Sequence, residues 1–310
     1  MLRNRKILVT GGAGFIGSHL VDRLAGTNSV TVLDSLNSGK MEYLQGHLDS
    51  DNVQFHKVDL VKEEIGDFFH GVEHIFHFAA HPDVKMDINS FNKFDQNFAS
   101  TKNVLEEARK HSVKNFYFTS SSTVYGEVKT IPTPESYGPL RPISLYGASK
   151  LACEAIISGY SHSFGMNCIV FRLANVVGNR CHGVIPDFVS KLMKNSNELE
   201  ILGNGMQKKS YIYVGDCIDA ILFLIERSVE NDVFNIGTED DVIVKRIAEI
   251  VSEEMGIAPR LSYTGGSRGW KGDVPVMKLN IEKIKKLGWK PKYGSEDAVR
   301  KTVKEIVAAS

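Results

Sequence analysis

The segment from Lys6 to Asp34 constrains the fold of this chain more than any other. An apolar run, Lys6-Ile7-Leu8-Val9-Thr10, leads into Gly11-Gly12-Ala13-Gly14-Phe15-Ile16-Gly17, and Leu20, Val21 and Leu24 follow at helical spacing. A glycine-rich string alone is weak evidence. Between a strand and an amphipathic helix it is the turn that receives a dinucleotide pyrophosphate. Gly11 permits the tight turn, Gly14 lets the phosphates approach the backbone, and Gly17 lets the helix lie close to the sheet. The first N–H groups of the helix then meet the phosphates. Asp34 ends the next apolar run, 17 residues after Gly17. A carboxylate there accepts hydrogen bonds from both adenosine ribose hydroxyls and repels a 2′-phosphate, which favours NAD over NADP. Lys40, close behind it, leaves a 2′-phosphate open.

The same rhythm continues downstream. Apolar runs at Val30–Asp34, Val53–Asp59, His74–Ala80, Asn115–Ser121 and Cys168–Asn175 alternate with helical patterns at Phe15–Ala25, Asn97–Lys110 and Gly147–Ser163. Strands alternating with helices predict an α/β fold, a doubly wound parallel Rossmann sheet covered on both faces. Beyond Gly178 glycines interrupt shorter elements, which predicts a smaller, loop-rich C-terminal substrate domain. The expected division is a dinucleotide-binding domain over 1–178, joined again by 210–237, and a substrate domain over 179–209 and 238–310, packed around one cleft. Ligands of such sheets lie outside the carboxyl ends of the strands. Asp59 and Leu60, Phe78, Ala79 and Ala80, and the serines 120–122 therefore belong to one crevice, although Asp59 and Ser121 also suit ordinary turns.

Two segments read Tyr-x-x-x-Lys: Tyr125–Lys129 and Tyr146–Lys150. Residues four apart share a face only on a helix. Gly126, Pro132 and Pro134 argue against a helix after Tyr125, whereas Gly147-Ala148-Ser149-Lys150-Leu151-Ala152-Cys153-Glu154 favours one. Only Lys150 is expected one turn from its tyrosine. A nearby ammonium, with the positive ring of a nicotinamide, favours phenolate. Bringing tyrosine from about 10 to about 7 takes roughly 4 kcal/mol of differential interaction. The phenolate is then a general base for a sugar or alcohol hydroxyl, with Ser121 hydrogen-bonding the reacting oxygen. On the motif alone, an ordinary helix-surface pair fits equally well.

Composition removes other function classes. Lys plus Arg and Asp plus Glu are both 37 in 310 residues, so no basic footprint points to nucleic acid or an anionic membrane. No apolar run reaches the ~18 residues of a membrane span. The basic start, Met1 to Lys6, precedes an apolar run that stops at Val9, which predicts a first strand rather than a secretion signal. Cys153, Cys168, Cys181 and Cys217 show neither CxxC nor zinc spacing, which predicts free thiols, no metal site and a cytoplasmic protein. Cys181-His182 reads as a loop pair, Glu282–Lys286 as a solvated helix face, and His77 as a packed residue.

In order, GGAGFIG, Asp34, Asp59-Leu60, FAA at 78–80, Asn97, SSSTVYG at 120–126, YGASK at 146–150, FRLANVVG at 171–178, QKKSYIYV at 207–214, FNIGT at 234–238 and RGWKGDV to LGW at 268–289 span nearly the whole chain. The series resembles the extended short-chain dehydrogenase/reductase family, of the NAD-dependent epimerase/dehydratase type. The resemblance implies bound NAD, a UDP-sugar substrate and a homodimer paired through the helices 97–110 and 147–163. It implies that Tyr146 takes the 4′-hydroxyl proton while C4′ gives its hydride to NAD, which returns it to the other face. It extends the cofactor site to Phe15 and Ile16, to Ser35, Leu36, Asn37, Ser38 and Gly39, and to His81, Asn97 and Ala174. On the substrate side it implies Val84, Asn175, Val184, Lys209, Tyr211, Arg268, Asp273 and Met277, besides Ser121 and Tyr146. Dehydratases of this type place an Asp-Glu pair, and decarboxylases a Glu, where this chain has Ser122-Thr123, so chemistry beyond a 4-keto sugar lacks an evident acid. Lys209 stands where many epimerases carry arginine. Met277 aligns with a bulky tyrosine that limits the sugar pocket, which predicts room for an N-acetylated sugar.

Overall fold

The computed structural model describes residues 2–81 and 91–309. Val84 lies outside the described residues. The chain forms two compact units, one of Met1–Val124, Leu145–Arg172 and Ile221–Phe234, the other of Tyr125–Ser144, Leu173–Ala220 and Asn235–Ser310. These boundaries differ from the division expected at 178. The segment Tyr125–Ser144 clusters with the second unit, and the returning piece is Ile221–Phe234 rather than 210–237.

The first unit carries β1 (Lys6–Thr10), α1 (Phe15–Leu24), β2 (Ser29–Asp34), β3 (Val53–Lys57), β4 (His74–His77), α2 (Phe91–Lys110), β5 (Asn115–Ser121), α3 (Leu145–Phe164) and β6 (Asn167–Leu173). With the strand Asp232–Ile236 at one edge, they form a seven-stranded sheet in the order Asp232–Ile236, β6, β5, β4, β1, β2, β3. The pairs β3–β2, β2–β1, β1–β4 and β4–β5 are parallel. The strand order reverses between β1 and β4, which is the switch point where ligands bind in doubly wound sheets. Central strands read as continuous apolar runs because both their faces are covered. Leu8, Leu33, Ile75, Phe116, Phe118 and Val170 are buried together with Val104, Leu105, Cys153 and Ile157 of the helices.

Three expected strand ends move inward. β3 stops at Lys57 rather than Asp59, β4 at His77 rather than Ala80, and the run expected over Cys168–Asn175 splits into β6 and a short strand Asn175–Val177. Beyond β3 and β4 the displaced residues enter loops past the carboxyl edge of the sheet, whereas Asn175 joins the short strand that pairs with Tyr211–Tyr213. α2 starts at Phe91, earlier than the expected Asn97.

The second unit has a separate core, in which Ile185, Phe188, Leu199, Ile201, Tyr211, Ile247 and Val299 are buried. Its helices Val184–Lys194, Val244–Met255 and Ser295–Ala308 accompany short strand pairs. Among the described residues no helix is long and apolar enough to cross a membrane. No group of three His, Cys, Asp or Glu among them could hold a metal ion.

Candidate active site

The glycine turn is built as a cradle with no spare room. Gly11 adopts φ +72°, and a Cβ on it would stand 2.6 Å from the Ala79 nitrogen, so the turn lies directly against the residues leaving β4. A Cβ on Gly17 would stand 2.1 Å from the Gly11 carbonyl oxygen. α1 begins at Phe15 with no side-chain cap on its N-terminus. Its first backbone donors thereby suit an anionic ligand, and the turn fits a dinucleotide pyrophosphate.

Asp34 is buried at the end of β2. Its carboxylate accepts the Ala13 N–H at 3.0 Å and the Leu36 N–H at 2.9 Å. Burial raises its pKa, against the lowering by these two N–H groups. Each oxygen keeps a lone pair for a ribose hydroxyl. The following stretch, Ser35 to Gly39, folds over the turn: Lys40 N donates to the Ala13 carbonyl at 2.9 Å, and a Cβ on Gly39 would meet Asp34 at 2.9 Å. The Lys40 ammonium is exposed and pairs with Glu42 at 3.1 Å. That arrangement favours NAD at Asp34.

Asp59 and Leu60 lie just beyond β3. The Asp59 carboxylate accepts the Val61 N–H at 3.0 Å and pairs with Lys62 at 3.1 Å, so it also holds its own turn. Past β4, the His81 N–H donates to Asn97 Oδ1 at 2.7 Å, and Asn97 Nδ2 donates to Ser149 Oγ at 3.0 Å. Asn97 thus ties the loop after Phe78, Ala79 and Ala80 to α3, beside Lys150.

His77 lies beneath this loop, fully buried. Thr101 donates its hydroxyl to the Asn97 carbonyl at 2.8 Å, so it accepts from His77 Nε2 at 3.0 Å. Nδ1 is then left as the acceptor for Thr10 Oγ1 at 2.7 Å. The ring is held neutral, its pKa pushed down to about 3 by burial first and by the Lys150 charge second. An unfolded histidine titrates near 6.5. The unfolded chain therefore binds the extra proton between the two values. Stability contributed by neutral His77 is complete above about 6.5 and falls by about 1.4 kcal/mol per unit as pH drops towards 3. Denaturant midpoints at pH 7, 6 and 5 should fall more steeply in the wild-type chain than in His77→Gln; equal slopes would contradict this.

The catalytic candidates join α3 to the last residues of β5. Tyr146 and Lys150 sit one turn apart on α3. Ser121 ends β5 and shares a hydrogen bond with the Tyr146 hydroxyl. Ser121 Oγ also accepts the Thr123 N–H at 3.2 Å and the Thr123 hydroxyl at 3.0 Å. A serine oxygen has two lone pairs and one proton. With both lone pairs taken by Thr123, that proton is left for Tyr146. Lys150 is buried; its ammonium donates to the Thr119 carbonyl at 2.9 Å and stands 5.9 Å from the Tyr146 ring centre. By contrast Tyr125, the other candidate, donates to Asn235 Oδ1 at 2.8 Å, and Gly126 turns the chain at φ +67°.

The protein's own electrostatics do not by themselves give the expected phenolate, which also calls on a nicotinamide ring. Desolvation pushes the Tyr146 phenol up to about 12, against the lowering by Ser121. Burial pushes Lys150 down to about 8. The protein's own groups therefore keep Tyr146 neutral at pH 7, and ionising it calls for further positive charge close by.

Most expected substrate residues lie in the second unit. Asn175 pairs with Tyr211 in parallel strands, and its Nδ2 donates to the Ser210 carbonyl at 3.2 Å. Lys209 stands opposite Met277, which is buried. The Lys209 ammonium contacts the buried Asp273 carboxylate at 2.6 Å. Arg268 Nη1 donates to the Asp273 carbonyl at 2.6 Å, and its Nη2 pairs with Glu127. The fold thus gathers Lys209, Arg268, Asp273 and Met277, and both cations already have carboxylate partners. Val184 opens a separate helix, and the Ala174 N–H donates to the Ile236 carbonyl at 2.8 Å. Burial pushes the Cys181 thiol up to about 11, so Cys181-His182 offers no thiolate near neutrality.

Sequence reasoning missed the partners of Arg172 and Glu154. Arg172 holds Glu154 through Nη2 at 2.7 Å and Nε at 3.1 Å, and the Ser120 hydroxyl donates to the same carboxylate at 2.5 Å. Two signals were present: a lone arginine inside an apolar strand, and a glutamate one turn beyond Lys150.

Comparison with known proteins gives the family. The model of the NAD dependent epimerase/dehydratase family matches residues 7–237. A crystal structure of a UDP-galactose 4-epimerase superposes with TM-score 0.88 at 41% identity, covering 98% of this chain and 99% of that one. The UDP-glucose 4-epimerase of Mycolicibacterium smegmatis is 31% identical over 310 residues, 96% of this chain and 97% of its own. The UDP-N-acetylglucosamine 4-epimerase of Methanobrevibacter ruminantium, solved in complex with UDP-N-acetylmuramic acid, superposes with TM-score 0.90 at 29% identity, covering 100% of both chains.

Proposed function

This chain belongs to the NAD dependent epimerase/dehydratase family, and we propose that within it the chain is a 4-epimerase that interconverts UDP-glucose and UDP-galactose. The observation that carries this reading is the set Ser121, Thr123, Tyr146 and Lys150. Tyr146 and Ser121 are placed to share the proton of a 4′-hydroxyl, and the Thr123 hydroxyl is committed to Ser121. No carboxylic acid stands at Ser122 or Thr123 to carry elimination or decarboxylation onward. When bound, NAD supplies the hydride acceptor and donor for C4′ and, through its charged ring, the positive charge that Tyr146 needs. The protein positions, polarises and moves the proton. Tyr146 takes it from the 4′-oxygen and returns it after the sugar has turned, Ser121 turns its one proton from Tyr146 to that oxygen when the substrate is bound, and Lys150 holds positive charge beside the phenol. Asn175, Lys209 and Arg268 are assigned to the nucleotide diphosphate and Met277 to the sugar pocket, and Val184, Tyr211 and Asp273 to the substrate site without a finer role.

The test is to incubate purified protein, without added NAD, with UDP-glucose, UDP-galactose, UDP-N-acetylglucosamine, UDP-glucuronate and a GDP-sugar. The 4-epimers are then resolved. Epimerisation of UDP-glucose is expected; no epimer from any sugar would defeat the reading.

A second reading, acceptance of N-acetylated sugars, is favoured by the buried, unbranched Met277 opposite Lys209. Methionine adapts its shape where a tyrosine cannot. UDP-N-acetylglucosamine should be turned over at more than about a thousandth of the UDP-glucose rate, and Met277→Tyr should cut that activity by roughly 10-fold or more, on the scale of discrimination that one buried contact gives. An equal effect of Met277→Tyr on both sugars would remove this reading.

A further inference from the structure

Three consecutive residues of β5 each clasp one of three residues spaced four apart on α3. Ser121 bonds Tyr146, the Thr119 carbonyl accepts Lys150, and Ser120 donates to Glu154. Four-residue spacing puts Tyr146, Lys150 and Glu154 on one helix face. The third clasp is unlike the others, since it is a full ion pair removed from water. The Glu154 and Arg172 side chains are only 8% and 7% exposed. A buried pair of this kind gives little stability compared with an apolar replacement, so its presence calls for another account.

We infer that Glu154, held by Arg172 and Ser120, is a positioning residue that keeps Lys150 charged in its buried place and fixes the register of β5 against the catalytic face of α3. The inference rests on the proposed 4-epimerase reading for its catalytic consequence, but not for its electrostatic content. Burial alone drives Lys150 towards the neutral amine, and a carboxylate one turn away opposes this. The direction agrees with the raising effects on Lys150, of Cys153 first and Glu154 second, against burial. Other titratable groups face the ammonium. Tyr146 and Cys153 come from α3 itself, and His77 comes from β4, neutral at pH 7. Arg172 of β6 stands behind Glu154 and orients both its oxygens. Among the groups beside Lys150, Glu154 is the carboxylate, and it is paired with the Arg172 guanidinium. A carboxylate free to swing would not hold its charge at a fixed distance from Lys150, and the Arg172 fork with the Ser120 hydroxyl prevents the swing.

The test uses the NAD-bound protein and two variants. Glu154→Gln removes one charge. The paired replacement Glu154→Gln with Arg172→Met removes both and leaves no orphaned ion. The Lys150 titration is followed by NMR of protein labelled in its lysines and assigned with Lys150→Met, so it needs no substrate. Its midpoint should fall by about one unit in Glu154→Gln, and in the same direction in the paired variant. Turnover should fall about twofold at pH 7 and roughly 10-fold at pH 9, with KM moving less than about twofold, because a one-unit shift near pH 8 depletes the ammonium in those proportions. If no sugar is turned over, the NMR titration still decides the matter, so failure of the function and failure of this inference are distinct results. A midpoint unmoved in folded variants, or an activity loss equal at every pH, would overturn it. Insolubility of both variants would overturn it too, by making the pair a requirement of folding whatever its charge.

Discussion

Tyr146→Phe is expected to lower turnover by about a thousandfold, within the range that a positioned general acid–base supplies, while the protein keeps its fold and its NAD. The substitution deletes one hydroxyl and leaves the ring, so the packing beside Lys150, whose ammonium lies 5.9 Å from the ring centre, is retained. Ser121 loses its acceptor, at a cost of about 1 kcal/mol of stability. That is too little to unfold a domain and far too little to account for the rate. The mechanism sets the size. Desolvation holds the phenol near 12 in the protein alone, so the same dry site that makes Tyr146 a poor acid at rest makes its ionised form a strong base once positive charge is beside it. Ser121→Ala should be milder, about 100-fold, because the base survives and one hydrogen bond to the reacting oxygen is lost. NAD released on denaturation, measured against protein, separates catalytic from binding loss. Near-normal turnover by Tyr146→Phe would mean that the base is another residue.

How far such residues can be read from sequence depends on whether their partners are local. The turn from Gly11 to Gly17 and the pair Tyr146–Lys150 are legible because spacing along one strand, turn or helix fixes them. Helix context also separates Tyr146 from Tyr125, and the structure gives the reason: Gly126 turns at φ +67°, and the Tyr125 hydroxyl is committed to Asn235. What escapes is everything set by contact across the sequence. Lys209 and Arg268 stand in the sequence as implied substrate residues, yet Asp273 and Glu127 meet them. Arg172 reads as an oddity in an apolar run until Glu154 and Ser120 close on it. The segment Tyr125–Ser144 reads as part of the first domain because it follows β5 directly, while its packing partners come from residues a hundred or more positions later: Glu135 accepts the Asn235 N–H at 2.9 Å, and Thr133 bridges to Leu279. Strand ends are blurred for a related reason. Ala79 and Ala80 are apolar enough for a strand, but the close approach of Gly11 to Ala79 shows the chain already leaving the sheet there.

Gly17→Ala is expected to strip the protein of NAD and to lower its stability, against the direction that helix propensity predicts. Gly17 is inside α1, where alanine is favoured over glycine by about 1 kcal/mol. Propensity alone would therefore make the variant more stable. Sterics oppose it: the new Cβ would stand 2.1 Å from the Gly11 carbonyl oxygen and 2.9 Å from the Gly12 Cα. Both atoms are backbone, and neither can swing aside. Gly11 is itself pinned, its N–H donating to the Leu33 carbonyl at 2.8 Å and its carbonyl accepting the Gly14 N–H at 3.1 Å. Relief therefore requires the turn and the first turn of α1 to separate. Overpacking of this kind costs about 1–3 kcal/mol, enough to cancel the propensity gain and exceed it. The larger effect falls on the cofactor, because the atoms that must move are the ones that cradle its phosphates. Gly26→Ala is the control: no atom lies within 4 Å of its Cβ position, so it should keep NAD and change the melting temperature little. NAD content after denaturation and thermal melts of both variants decide between the two forces. A Gly17→Ala protein with its full complement of NAD and an unchanged or higher melting temperature would show that the turn yields where the backbone contacts say it cannot.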